Sequence, residues 1–160
     1  MREAICDTSP IQYLHQIGCL YLLAEFYTLV IVPSAVADEL EQGRARGIDL
    51  PDVHCLPWAT IQVPKRMETP PSAVDLGHGE KQVLSLGIEI PGAVLILDEK
   101  LGRLCASTLG LPFTGTLGLI LRAKLEGRVA RVEPLLQELN SLGFRLSRGT
   151  QAAVLRQAGE

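Results

Sequence analysis

"VLILDEKLGRLCASTLGLPFTGTLG", residues 94–118, decides the fold class. Val94–Leu97 is a continuous apolar run, which predicts a strand covered on both faces, as in a parallel sheet flanked by helices. It runs into the acids Asp98 and Glu99, and a helical pattern then covers Lys100–Leu109 and stops at Gly110. A short β-type piece near Pro112-Phe113 and a helix over Thr116–Glu126 follow. Strands alternating with helices in this way point to an α/β fold with a largely parallel sheet.

The same grammar recurs outward. Ala4–Cys6 is an apolar run that ends at Asp7, and Leu29–Val32 is a third such strand, followed by a helix over Pro33–Glu41. Ser9 followed by Pro10 and Gln12 predicts a helix start with a serine cap, a first-turn proline and a capping-box glutamine. Gly18 breaks that helix, and Leu20–Phe26 predicts a second short one. Glu80–Leu86 predicts a helix closed by Gly87, and Thr60–Val63 a weaker strand. Gly127 stops the Thr116–Glu126 helix, and residues 132–160 are expected to form a C-terminal helical extension with helices over Val132–Leu142, stopped by Gly143, and Gln151–Gln157. Residues 43–75 hold five of the ten prolines, at 51, 57, 64, 70 and 71, and predict an irregular insertion around one strand. Residues 1–160 are expected to form one domain.

Apolar residues make up 47% of the chain and no polar tract suggests disorder. The apolar runs are too short to span a bilayer, and Glu3 and Asp7 argue against a signal peptide, so a cytoplasmic protein with no membrane partner is expected. Cys6, Cys19, Cys55 and Cys105 form no C-x-x-C pair and read as buried free thiols, and the lone His54-Cys55 pair argues against zinc. The net charge is −3, distributed unevenly: residues 1–121 carry 8 basic and 14 acidic side chains (−6), and residues 122–160 carry 7 and 4 (+3). The basic C-terminal part could lie against phosphates or be the solvated face of two helices.

Ligands of parallel α/β sheets bind beyond the carboxyl ends of the strands. Two of the clearest strands end in acids, Asp7 and Asp98, with Glu99 adjoining; the third leads into a helix carrying Asp38 and Glu39, and Glu80 opens the helix before Val94. Each acid alone has a structural explanation. Asp7 and Asp98 could cap helices, although Ser9 already offers that service beside Asp7. Glu80 suits a helix macrodipole, and Glu39 belongs to an acidic surface face with Asp38 and Glu41. Together, four carboxylates repel one another unless a cation neutralises them, and oxygen-only ligands select Mg2+ or Mn2+. Such ions promote phosphodiester cleavage.

At these residues the chain resembles the PIN-domain family, in the branch long catalogued as a domain of unknown function and related to VapC-type toxins. The resemblance covers nearly the whole chain and rests on "DTSPIQYLHQIGCLYLL", "VIVPSAVADEL", "GHGEKQVLSLGIE", the block from Leu95 to Val129, "GFRLS" and the closing "VLRQAGE". It implies a PIN-like three-layer α/β/α fold with a central, mostly parallel sheet and C-terminal helices. It makes Asp7, Glu39, Glu80 and Asp98 the catalytic and metal-ligand acids, holding one or two ions of Mg2+ or Mn2+. It gives Thr8 and Ser9 a role in orienting Asp7 or a metal-bound water, and Thr114 and Thr116 a similar role or a phosphate contact. Glu99 supports Asp98, and Arg103 is a phosphate or acid partner, with a salt bridge to Glu99 as its structural alternative. Two positions depart from the branch: Glu99 stands where a second aspartate is usual, and His78 where a small residue or proline is expected.

The activity implied is that of a metal-dependent endoribonuclease whose activated water attacks an RNA phosphodiester in line and leaves a 5′-phosphate. As a toxin of a toxin–antitoxin pair it would be held by an antitoxin; a homodimer is expected, with Leu20–Phe26 and the basic C-terminal helices as candidate surfaces for it or for another partner, neither assigned by the sequence. The alternative is a catalytically weak or inactive PIN-like module that binds nucleic acid or protein. An aspartyl-nucleophile phosphotransferase is a poorer fit, because Ser9 stands where its second aspartate belongs and no Gly-rich phosphate loop exists.

Overall fold

The computed structural model describes residues 2–160. Five strands form one sheet: β1 (Arg2–Cys6), β2 (Tyr27–Pro33), β3 (Ala59–Gln62), β4 (Val94–Ile96) and β5 (Phe113–Thr114). They lie in the order β3-β2-β1-β4-β5, and each neighbouring pair is parallel. The chain thus steps outward from β1 to β3, then returns to the other side of β1 for β4 and β5. The direction of winding reverses between β1 and β4, and ligands of open parallel sheets bind beyond the carboxyl ends at such a reversal.

The register sets what emerges there. Cys6 pairs with Ile96, so Asp7 leaves β1 beside the segment in which Asp98 leaves β4. The ladder continues past the strands, with Asp7 N–H donating to the Ile96 carbonyl at 3.1 Å and Leu97 N–H to the Thr114 carbonyl at 2.9 Å. The sheet therefore fixes the backbone of Asp7 and of Leu97, the residue before Asp98.

Ala4, Ile5 and Cys6 are all fully buried. Adjacent strand residues point to opposite faces, so this run requires cover on both. Eight helices among the described residues provide it: α1 (Thr8–Gln16), α2 (Tyr21–Phe26), α3 (Ser34–Ala45), α4 (His78–Glu89), α5 (Lys100–Thr108), α6 (Thr116–Leu125), α7 (Glu133–Ser141) and α8 (Arg148–Gln157). Leu14 of α1, Leu22 and Leu23 of α2 and Leu84 of α4 are fully buried in the common core. Full burial of such a side chain contributes roughly 1.5–3 kcal/mol. The α/β architecture expected from the apolar runs is the one observed.

Several local expectations are corrected. The serine cap at Ser9 is not formed: α1 begins at Thr8, with Asp7 at the cap position. Gly87 does not close a helix but lies buried inside α4, where a Cβ would sit 2.8 Å from Leu95 Cδ2. Its glycine admits close approach of helix and sheet, and the missing side chain, not a stop, is its reason. The third helix runs on to Ala45, past Glu41. Within residues 43–75, β3 completes the sheet, and short 3-10 turns occupy Val53–Cys55 and Pro71–Ala73. The last helix begins three residues earlier than expected because Ser147 caps it, accepting from Thr150 N–H at 3.1 Å. Cys55 is exposed rather than buried. Leu22, Leu23 and Phe26, in a stretch that the sequence offers as one candidate partner surface, face the core, leaving Tyr21 as the exposed aromatic of that stretch. No helix of the described residues is long and apolar enough to cross a membrane.

Candidate metal centre

Asp7 sits at the end of β1 and is only 4% exposed, although it is a carboxylate. It occupies the N-cap position of α1 with an extended backbone, yet its side chain makes no capping hydrogen bond. Its two oxygens are thereby left to the sheet edge. Burial is the largest influence on it and pushes its pKa from 3.8 up to about 7. The Thr8 amide opposes this without reaching capping geometry, and the charges of Glu80, Glu39 and Asp98 reinforce it.

Asp98 follows β4 and is held at both oxygens. Thr116 N–H donates to Oδ1 at 2.8 Å and Thr116 Oγ1 to Oδ2 at 2.7 Å. Thr116 is fully buried as the first residue of α6, so it has no freedom to leave. Burial raises the Asp98 pKa most strongly; the two Thr116 bonds and the Arg103 charge pull it back, and Glu99 adds to the rise.

Glu80 lies in the first turn of α4 and leans toward α5, with Oε2 3.7 Å from where a Cβ on Gly102 would stand. Its pKa is raised by partial burial, then by Glu99 and Glu39. Glu39, on α3, is exposed, and its Oε2 accepts from Thr8 Oγ1 at 2.6 Å. The expected Thr8–Asp7 pairing is thus corrected: the hydroxyl at the start of α1 ties down Glu39 instead. Glu99 is exposed at the N-cap of α5 and faces both Glu80 and Asp98 electrostatically. Ser9 lines a cavity with Asp98, and Thr114 lines a second one. Arg103 makes no salt bridge to Glu99 among the described residues; its guanidinium lies over the Phe113 ring, 5.3 Å from the centroid. His78 is exposed at the start of α4.

Two glycines allow the acids to gather. A Cβ on Gly79 would stand 3.0 Å from Glu39 Oε1, and one on Gly115 2.8 Å from Asp98 Oδ1 and 3.0 Å from the Leu97 carbonyl. At Gly115 the second obstacle is backbone, so no rotamer change relieves it. Gln82 is a further residue that the sequence did not single out. It is 5% exposed, and its Oε1 accepts from Ser34 Oγ at 3.1 Å and Ala35 N–H at 2.9 Å, joining the helix of Glu80 to the helix of Glu39. A glutamine within an amphipathic helix carries no signal of that role, whereas Gly79 and Gly115 stand directly beside Glu80 and Thr116 in the sequence.

Among the described residues no three His, Cys, Asp or Glu side chains stand close enough together to hold an ion. Glu39 is turned onto Thr8 and Asp98 onto Thr116, and like charges repel, which keeps the carboxylates apart. The donor set nevertheless suits a hard divalent cation: it is all oxygen, and it includes a buried carboxylate with no cation against it. Asp98 is held by Thr116 and Asp7 is buried, while Glu39 and Glu80 have longer side chains able to adjust.

A family model described as PIN domain matches residues 3–160. No curated protein matches the chain. PIN domains are a nuclease-type family that typically uses divalent metals, with nucleic acid as the substrate class.

Proposed function

Since the chain belongs to the PIN-domain family, we propose that it is a metal-dependent endoribonuclease whose centre is built from Asp7, Glu39, Glu80 and Asp98. The observation that carries the reading is the placement of Asp7. A carboxylate 4% exposed, without a capping bond, lies where the winding of the sheet reverses, among three further acids that raise its pKa. Burying such a charge serves no structural end, because an uncompensated buried carboxylate destabilises the fold.

Asp7 and Asp98 would hold Mg2+ or Mn2+ from the sheet edge, with Glu39 and Glu80 completing the donor set from α3 and α4. When bound, the ion lowers the pKa of water and stabilises charge on the attacked phosphodiester. The chain's own contributions are positional. Thr116 fixes both oxygens of Asp98, Thr8 sets Glu39, and Gln82 locks α3 against α4, so the acids share one frame. Glu99 adds negative charge at the mouth beside Asp98. On this reading the acids serve as ligands and not as covalent nucleophiles.

Binding without cleavage is the competing reading, favoured by the separation of the carboxylates. An RNA panel incubated with Mn2+ distinguishes the two. Cleavage by wild type that is lost in both Asp7→Asn and Asp98→Asn supports the nuclease. RNA binding by wild type with intact substrate at every Mn2+ concentration sinks it.

A further inference from the structure

Asp98 and Glu99, of the acids, border a longer depression. Cavities of about 370 and 430 Å3 meet at Asp98 and share Phe144 and Arg145 as a common wall. Both fall within the size range of small-ligand sites, roughly 300–1,000 Å3. Lys100 also borders the first cavity, and Arg103 and Phe113 border the second. The rest of the lining beside Asp98 and Glu99 thus includes cationic and aromatic side chains.

Those cations are free to meet a ligand. Among the described residues Lys100, Arg103 and Arg145 make no salt bridge, whereas Arg122, Lys124, Arg128 and Arg131 are each paired with one of the chain's own acids. Much of the positive charge of the C-terminal part is thus neutralised internally, and Arg145 keeps its charge at the groove. Arg103 lies over Phe113, an arrangement that leaves guanidinium N–H groups at the edge available for phosphate. Phe144 is half-buried and meets Tyr13 edge to face, with centroids 5.0 Å apart, so its position is fixed. A chain of net charge −3 with an acidic centre repels a polyanion overall and needs local cations to seat one.

We infer that the turn at residues 143–146 is a substrate-binding clamp: the groove seats single-stranded RNA, with Arg145 and Arg103 meeting its phosphates and Phe144 a base. The inference rests on the nucleic-acid substrate of the preceding reading and adds which residues of this chain hold the strand. Cations interleaved with fixed aromatic faces suit unpaired bases, whose faces are free to stack, and disfavour a duplex, which hides them. Arg145 and Phe144 belong to the C-terminal part of the chain, so this part supplies substrate contacts and not scaffold alone.

The test is binding without chemistry, in the Asp7→Asn/Glu80→Gln protein in EDTA, read by fluorescence anisotropy of a labelled oligouridine of about 12 nucleotides, within the site sizes of single-strand grooves. Adding Arg145→Ala weakens binding about tenfold and lowers the slope of log affinity against log salt by about 0.7, the loss of one phosphate contact. Phe144→Leu, which keeps an apolar side chain against Tyr13, weakens binding about fivefold without changing that slope. Arg145→Lys retains the slope. Circular dichroism and thermal unfolding verify that each variant is folded. Unchanged affinity in Arg145→Ala overturns the inference, as does a duplex of the same length binding as tightly as the single strand. Equal binding of a polyglutamate peptide, with the same dependence on Arg145, overturns RNA as the occupant. Wild type that fails to cleave RNA refutes the nuclease reading but leaves this binding test standing.

Discussion

Replacing Asp7 by asparagine should stabilise the metal-free protein at alkaline pH while abolishing its response to metal. The folded protein holds the Asp7 proton up to a pKa of about 7, whereas the unfolded chain releases it near 3.8. Folding is therefore favoured below 3.8, and that advantage is lost as pH rises through the window between the two values. At about 1.36 kcal/mol per pKa unit, the loss reaches about 4 kcal/mol by pH 8. Asparagine has nearly the same shape and carries no charge, so it escapes this loss; relaxation around the wild-type carboxylate reduces the expected gain to about 2–4 kcal/mol. Urea unfolding in EDTA at pH 8 and pH 5 reads the effect. Asp7→Asn should be the more stable protein at pH 8, and the gap should shrink at pH 5 by about 2–3 kcal/mol. Both Glu80 and Asp98 also titrate upward, but they are common to the two proteins. A variant no more stable than wild type at pH 8, or a gap independent of pH, would refute the claim that Asp7 is an uncompensated buried charge.

The remaining predictions concern the frame around that acid. Divalent-ion binding should weaken as pH falls below about 7, because the ion must displace the Asp7 proton; calorimetry at pH 6 in two buffers of different ionisation enthalpy should show proton release. Thr116→Val removes the 2.7 Å hydroxyl bond to Asp98 Oδ2 and should cost about 1–3 kcal/mol of stability while weakening Mn2+ affinity. Gly115→Ala brings a methyl to 2.8 Å from Asp98 Oδ1 and 3.0 Å from the Leu97 carbonyl, so it should lower Mn2+ affinity as well as stability. Gly87→Ala crowds Leu95 at a point seven residues along α4 from Glu80 and should destabilise by about 1–3 kcal/mol with Mn2+ affinity unchanged in the folded protein.

Much of this architecture was legible in residue order. Continuous apolar runs at Ala4–Cys6 and Val94–Leu97 demanded a sheet covered on both faces, and such strands are buried and parallel here. What periodicity could not convey was three-dimensional proximity. Gly87 reads as a helix stop from its neighbours, but its reason is Leu95 on the sheet. Ser9 and Gln12 match a capping box, yet Asp7 takes the cap position because the β1 ladder extends through its N–H and fixes its extended backbone. The four acids were recognisable because two of them terminate strands. Their partners were harder: Thr116 was visible beside a glycine, whereas Gln82 and the Phe144-Arg145 wall depend on how distant helices pack. Leu20–Phe26 could not be assigned to core or surface from its composition, since an apolar stretch serves either.

The central claim, that Asp7, Glu39, Glu80 and Asp98 form a divalent-cation site, is tested most directly by Mn2+ titration at pH 8 with thermal unfolding as the readout. At 100 times the dissociation constant, wild type should gain about 2.7 kcal/mol of stability, and Asp7→Asn, the more stable protein in EDTA, should gain nothing. A wild type indifferent to Mn2+, or an equal gain in Asp7→Asn, would contradict the account.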